Sequence, residues 1–248
     1  MTNGQPALVE MAGLPGAGKT TVARALAARL PRSRISFFAT HKSKLRALRL
    51  IWLATPYTRF KFRTVLSQLE SLDPAARRSI LYLLNVFLTE LVLATLEARI
   101  FRRSLILDEG FVQRGLGLCL RAPEAIREEL WQRYVRCIPD DVLCLVLEIE
   151  PQQALLRARS REQGVPDVFD GESTGPTPSD PAVSRPYAES RRLLAGDVLR
   201  NQVRCANIAA DGNLEELADR IVGELESHWP GERVASLMVF VREADSLG

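Results

Sequence analysis

The chain has 248 residues, of which 46% are hydrophobic and 25% are charged. This balance is typical of a globular protein with an apolar core, and it excludes a chain that is disordered throughout. The 33 basic and 30 acidic residues leave a net charge of +3, which is too small to suggest bulk binding of nucleic acid. The length predicts one domain over residues 1–248, with insertions.

Several common classes of site and location are not expected from the sequence. The four cysteines form no CxxC pair, and the two histidines have no ligand partners at useful spacing, so we do not expect a zinc site. The N-terminal segment lacks the basic and apolar regions of a signal peptide. The most apolar stretch, Ile80 to Leu96, is interrupted by polar residues and predicts a buried helix. We therefore expect a cytoplasmic protein with no membrane or nucleic-acid partner.

Apolar runs alternate with helical patterns along most of the chain. Strands are predicted at residues 7–13, 35–38, 104–107, 142–149, 203–209 and 236–241, the last of them as an edge strand. Helices are predicted at residues 19–30, after Pro151, at 187–200 and at 214–225, with a helical insertion over 42–102 and a long loop over 164–186. This alternation predicts an α/β fold: a parallel sheet with helices on both faces, which binds ligands beyond the carboxyl ends of its strands.

A glycine-rich segment after the first strand matches the pattern GxxxxGK[ST] in full, from Gly13 to Thr20. The glycines let backbone N–H groups turn inward around phosphate oxygens, and the following helix directs its positive end at the same anion. Lys19 would neutralise the β- and γ-phosphates, and Thr20 would hold Mg²⁺ through its hydroxyl. The candidate nucleotide-binding residues in this segment are Gly13, Gly16, Ala17, Gly18, Lys19 and Thr20. The motif predicts the phosphate loop of a P-loop NTPase.

An acidic pair follows the predicted strand at residues 104–107. Asp108 could hold Mg²⁺ through a bound water, and either Asp108 or Glu109 could accept a proton from an attacking hydroxyl. Arg114 could meet an anionic acceptor or the transferred group. The alternative is that the acids merely cap the next helix. Glu10, inside the first strand, either serves the same site or faces a basic neighbour.

A third group of candidates lies on the helix after Pro151. Arg157 and Arg161 are four residues apart, so they share one helix face. Next to a long loop, they suit a mobile lid over residues 151–186 that closes on phosphates and excludes water. The alternative is an ordinary solvated basic face.

Taken with these motifs, the chain resembles the small P-loop kinases of the nucleoside monophosphate kinase type, thymidylate kinase included. The matching segments are GLPGAGKTT at Gly13–Thr21, LDEG at Leu107–Gly110 with Arg114, LLRARSR at Leu155–Arg161 and NLEELADRIVGEL at Asn213–Leu225. The resemblance implies a five-stranded parallel core, ATP with Mg²⁺, and an acceptor held under the lid. It also adds Thr21 to the nucleotide-binding residues and places Asp211, in the loop after the last core strand, near the adenine.

The sequence departs from thymidylate kinases at two places. Leu14-Pro15 stands where those enzymes carry an acid, and Asp108-Glu109 stands where they carry an Asp-Arg pair. A carboxylate base is of little use to a phosphate acceptor, so the acidic pair favours a hydroxyl on a nucleoside, sugar or secondary metabolite.

Our main hypothesis is an ATP- and Mg²⁺-dependent small-molecule kinase. The predicted catalytic residues are Lys19, Asp108, Glu109, Arg114, Arg157 and Arg161, and the predicted metal ligands are Thr20 and Asp108. The alternatives are a nucleoside or thymidylate monophosphate kinase, a sulfotransferase, a hydrolytic ATPase, and a nucleotide-gated regulatory or binding module. The complete GKT motif and the acidic strand end argue against the sulfotransferase, whose donor has no triphosphate to hold with Mg²⁺.

Overall fold

The computed structural model of the protein describes residues 8–29, 36–37, 56, 59–70, 72–74, 77–78, 81, 91, 104–140, 142–160, 181–210, 213–228 and 237–241. Most of the predicted helical insertion at residues 42–102 lies outside the described residues. Two candidate site residues, Arg161 and Asp211, also lie outside them.

A parallel sheet of six strands forms the centre of the described part of the chain. Its strands are β1 (Leu8–Gly13), β2 (Ser36–Phe37), β3 (Ser104–Leu107), β4 (Val142–Glu148), β5 (Arg204–Ala209) and β6 (Leu237–Val241). They are arranged in the order β2-β6-β3-β1-β4-β5, and every neighbouring pair is parallel. The prediction of a parallel sheet is confirmed.

The five-stranded core that the resemblance implies and the edge position predicted for the last strand are wrong. The described residues form one sheet of six strands, at the six places where the apolar runs predicted them, and β6 lies between β2 and β3 instead of at an edge. Its sequence, LMVFV, is apolar without alternation. Such a run is typical of an interior parallel strand that is covered on both faces.

The helices surround this sheet. They are α1 (Lys19–Arg29), α2 (Arg63–Leu69), α3 (Phe111–Arg121), α4 (Glu124–Val135), α5 (Pro151–Arg159), α6 (Pro181–Ala195), α7 (Asp197–Gln202) and α8 (Leu214–His228). Among the described residues, no helix is both long enough and apolar enough to cross a membrane.

One helix begins earlier than predicted and ends sooner. The predicted loop over 164–186 overlaps α6, which begins at Pro181 and contains Pro186. The single helix predicted at 187–200 is divided at Gly196, whose backbone is extended with ψ 151°. Proline has a fixed φ that suits a helical turn, so a proline-rich sequence does not exclude the start of a helix.

The core lies on both faces of the sheet, as predicted. Leu8 and Ala12 of β1 pack with α2, α3, α4, α6 and α7 on one face. Val9 and Met11 point to the opposite face and pack with α1 and α8. The alternation of β1 side chains therefore separates the two halves of the core, and it directs Glu10 to the same face as Leu8 and Ala12.

Helices α3 and α4 meet at a glycine, and this contact gives a test of the fold. A Cβ at Gly115 would collide with the buried ring of Tyr134. At Gly117, two residues further on α3, the nearest atom is the flexible Arg121 Nη1 at 3.5 Å. We expect Gly115→Ala to lower the free energy of unfolding by about 1–3 kcal/mol through overpacking. Gly117→Ala should raise it by about 0.5–1 kcal/mol because alanine favours a helix.

Urea denaturation of both variants beside the wild type measures this difference. A Gly115→Ala variant as stable as Gly117→Ala would contradict the described packing of α3 on α4.

Candidate functional site

The glycine-rich segment forms a tight loop between β1 and α1. Gly16 and Gly18 both have a φ of +89°, a conformation that other residues rarely adopt. A Cβ at Gly16 would collide with the carbonyl oxygen of Ala154 on α5. Within the loop, the Ala17 N–H donates to Leu14 O at 3.0 Å. Glycine at position 16 is therefore required both by its backbone conformation and by the close approach of α5.

Lys19 is the first residue of α1, and its side chain returns over the loop. It is 8% exposed, and Nζ donates to the carbonyl oxygens of Gly13 at 3.0 Å and Leu14 at 3.2 Å. Its ammonium group and the positive end of α1 thus lie at the same loop. This arrangement favours an anion.

Asp108 lies at the carboxyl end of β3, next to β1 in the sheet. It is buried at 2% exposure, and the Thr20 hydroxyl donates to its Oδ2 at 3.1 Å. Within the described residues, no group of three or more His, Cys, Asp or Glu side chains could hold a metal ion. The Thr20 hydroxyl and the Asp108 carboxylate are oxygen donors of the kind that Mg²⁺ takes when substrate phosphates supply further ligands. The residues present fit such a shared site.

Glu109 and Arg114 form an ion pair. Arg114 Nη2 lies 3.0 Å from Glu109 Oε2, with the two side chains 19% and 35% exposed. The N-cap of α3 is Gly110, so neither Asp108 nor Glu109 caps this helix and the capping interpretation is wrong. The pair lies at the edge of the site, where Glu109 remains partly accessible to solvent.

Glu10 is fully buried in β1 and faces the start of α3, not a basic neighbour among the described residues. Its Oε1 accepts the N–H of Val112 at 2.7 Å. Burial raises the pKa of Glu10 to about 7, although the N–H groups of Val112 and Phe111 oppose this rise. A Cβ at Gly110 would overlap this carboxyl group. Glu10 therefore supplies the acceptor that the glycine N-cap of α3 lacks.

Gln113 joins the site although the sequence did not indicate it. Its Oε1 accepts the N–H of Gly13 at 3.0 Å, across 100 residues of chain. No pattern in the sequence marks a single glutamine on a helix as the partner of a distant loop.

The arginine-bearing helix α5 packs directly on the glycine-rich loop. Ala154, Leu155 and Ala158 of α5 form one buried cluster with Leu14 of the loop and Tyr187 of α6. On the same helix, Arg157 is exposed. The predicted closure of a lid over residues 151–186 stays a prediction.

Of the remaining candidates, Ala17 is buried in the loop and Thr21 is exposed in the first turn of α1. The structure thus brings together the loop, Lys19, Thr20 and Asp108, with Glu109 and Arg114 beside them.

Comparison with known proteins identifies no family for the chain. No protein-family model matches it, and no curated protein matches it in sequence. Two solved structures that it resembles are of deoxyadenosine kinase from M. mycoides, one with the products dCMP and a flexible dCDP bound and one with dCTP bound. Each kinase chain is 11% identical in sequence to this chain. Each superposition covers 89% of this chain and 99% of the kinase chain, with TM-scores of 0.45 and 0.43. The resemblance to nucleoside monophosphate kinases stays a prediction.

The buried carboxyl of Glu10 predicts a pH dependence of stability. Its pKa is about 7 in the folded protein against an ordinary 4.5, so the folded state holds a proton that the unfolded chain releases. This contribution is fully present below pH 4.5 and is lost as the pH rises through 7. We expect the free energy of unfolding to fall by about 3 kcal/mol on this account between about pH 4.5 and pH 8.

Among the described residues, Cys144 on β4 and Tyr134 on α4 are ionisable groups that interact with Glu10. Burial raises the pKa of each group well above its ordinary value, so both stay neutral over the pH range in which Glu10 titrates. The Glu10→Gln variant keeps a hydrogen-bond acceptor but cannot titrate. Its unfolding free energy should fall less with pH than that of the wild type. Identical pH profiles from urea denaturation would show that Glu10 does not titrate in this way.

Proposed function

We propose that the protein is an ATP- and Mg²⁺-dependent phosphotransferase that modifies a hydroxyl group of a small molecule, such as a nucleoside, a sugar or a secondary metabolite. The observation that carries this proposal is the meeting of two neighbouring strand ends. β1 leads into a loop that presents Lys19 and Thr20, and β3 ends at Asp108, whose carboxylate accepts the Thr20 hydroxyl at 3.1 Å. A cation, a hydroxyl and a buried carboxylate thereby converge beyond the same edge of the sheet.

The loop and Lys19 would bind the phosphates of the nucleotide. When bound, ATP with Mg²⁺ supplies the phosphoryl group and part of the positive charge that stabilises its transfer. Lys19 Nζ donates to two loop carbonyls at 3.0 and 3.2 Å, so its hydrogens already point into the loop. Phosphate oxygens are stronger acceptors than these carbonyls because they carry charge. Lys19 would therefore leave these carbonyl oxygens and donate to the phosphate oxygens of the nucleotide.

Asp108 and Glu109 would have different roles in the reaction. Asp108 is buried and bonded to Thr20, so it is placed to hold the metal with that hydroxyl. Glu109 is partly exposed and lies in an ion pair with Arg114. An accessible carboxylate can meet the hydroxyl of an acceptor and take its proton, while Arg114 keeps that carboxylate oriented. This division assigns the base to Glu109.

The arginine helix would act on the transferred group. Helix α5 lies against the loop through Leu14, Ala154 and Ala158. Arg157 on this helix would add positive charge to the transition state. Arg161, which follows the described part of the helix, and a lid over residues 151–186 would add further charge and exclude water.

The direct test uses mass spectrometry. The protein is incubated with ATP, Mg²⁺ and a panel of nucleosides, nucleoside monophosphates, sugars and hydroxylated antibiotics, and each compound is examined for the gain of one phosphoryl group. We expect a phosphorylated hydroxyl compound. A nucleoside diphosphate as product would instead identify a monophosphate kinase. Tight binding of ATP with no product from any acceptor would favour a regulatory module, and transfer from a sulfonucleotide would identify a sulfotransferase.

Lys19→Ala tests the loop. Removing this charge from the transition state should lower kcat at least about a hundredfold. The matched control is Lys61→Ala, which removes the ammonium group that lies 5.9 Å from the centroid of the Phe111 ring. Near-normal turnover by Lys19→Ala would exclude the proposed reaction.

Asp108→Asn and Glu109→Gln test the division of tasks. Asp108→Asn should raise the Mg²⁺ concentration needed for half-maximal rate about tenfold, because it weakens a charged oxygen ligand. Glu109→Gln should lower kcat about a hundredfold or more and leave the Mg²⁺ dependence unchanged, because it removes a base. Steady-state kinetics across a Mg²⁺ titration distinguish the two. The reverse pattern would exchange the two assignments.

A further inference from the structure

The pairing of β1 with β3 stops just before the site. Glu10 opposite Leu107 is the last pair between these strands, whereas β1 continues against β4 as far as Gly13. After Leu107 the chain passes through Asp108 to Gly110 and enters α3. Hydrogen bonds between the strands therefore do not fix the distance from the phosphate loop to Asp108.

Two side-chain hydrogen bonds of opposite direction join the two chain segments beyond this point. Glu10 of β1 accepts the N–H of Val112 on α3 at 2.7 Å, and Gln113 of α3 accepts the N–H of Gly13 on β1 at 3.0 Å. We name these two bonds the Glu10–Gln113 clamp. The Val112 donor is a first-turn amide that has no partner within its own helix, so the clamp also satisfies a group that would otherwise be unpaired.

Packing reinforces the first of these bonds. Gly110, the N-cap of α3, lies so close to the Glu10 carboxyl that a Cβ would overlap it. Between the clamp and the loop, Thr20 bonds to Asp108 at 3.1 Å. The acidic segment is thus held at its start through Asp108 and at its end through Gly110 and Val112.

We propose that the Glu10–Gln113 clamp positions Asp108 and Glu109 against the phosphate loop, which makes Glu10 and Gln113 positioning residues of the site. This inference rests on the proposed phosphotransfer. Both residues act through others: Glu10 fixes the start of α3, and Gln113 fixes the end of β1. A displacement of about 1 Å between reacting groups can cost about a hundredfold in rate, so two such bonds carry a large effect on turnover.

Substitutions at Glu10 and Gln113 separate the effect of losing the hydrogen-bond acceptor from the effect of changing the size of the side chain. Glu10→Leu removes the acceptor at similar volume, while Glu10→Gln retains a carbonyl oxygen for Val112. Because burial raises the pKa of Glu10 to about 7, its carboxyl is partly protonated near neutral pH, and an amide is then a fair substitute. Gln113→Leu breaks the second bond. Gln132→Leu makes the same chemical change on α4 and serves as its control.

The experiment combines kinetics with hydrogen–deuterium exchange. We expect Glu10→Leu and Gln113→Leu each to lower kcat about ten- to a hundredfold, while the KM for ATP changes about threefold or less. Glu10→Gln should recover most of the rate, and Gln132→Leu should match the wild type. Backbone amides of residues 110–114 should exchange faster in Glu10→Leu, and the Gly13 amide should exchange faster in Gln113→Leu, because each loses its acceptor.

Each outcome decides the proposal. Wild-type turnover in Gln113→Leu, or a Glu10→Gln variant as slow as Glu10→Leu, overturns it. If Glu10→Leu does not fold, Gln113→Leu decides alone, since Gln113 is only half-buried. If the wild type transfers no phosphoryl group, the proposed function fails by itself. Exchange at Gly13 and at residues 110–114 then still tests the clamp, and unchanged exchange at Gly13 in Gln113→Leu overturns it.

Discussion

Two chain segments leave neighbouring parallel strands at the same edge of the sheet, and the candidate site depends on how their separation is fixed. The β1–β3 pairing reaches only to Glu10 and Leu107, so the sheet aligns the segments without holding their ends. Three side-chain hydrogen bonds complete the connection: Thr20 to Asp108, Val112 to Glu10 and Gly13 to Gln113. Strand pairing supplies the coarse geometry of the site, and polar side chains supply the fine geometry.

The acid in the central strand shows how stability and site geometry are linked. Burying a carboxyl group costs free energy unless it is neutralised or hydrogen-bonded. The Glu10 carboxyl is both hydrogen-bonded to α3 and partly neutralised by a proton. The backbone N–H groups at the start of α3 stabilise its charge, while the proton that it retains up to a pKa of about 7 relieves the remaining cost. A leucine at this position would suit the core better, but it would leave the start of α3 without an acceptor.

Local patterns predicted most of the sheet and the centre of the site. The glycine-rich loop and the strand at residues 104–107 were predictable because each is encoded by a short contiguous run, and Asp108 follows that strand directly. Gln113 was not predictable because its partner Gly13 lies 100 residues away and helical spacing carries no information about it. The lack of alternation in LMVFV is a signal for the interior place of β6 that the sequence prediction did not use, although an apolar run still does not say which strands will flank it. Likewise, the sequence marked Glu10 as unusual but could not identify the helix that it faces.

The glycine-rich loop also packs against the helices on either side of residues 161–180. Gly16 lies against the Ala154 carbonyl of α5, and Leu14 packs with Tyr187 of α6 in one buried cluster. Packed interiors transmit small displacements because they leave few voids in which a shift can be absorbed. Under the proposed function, a phosphate that reshapes the loop would displace contacts that α5 and α6 share. Its binding would then be coupled to the placement of Arg157 on α5 by direct packing alone.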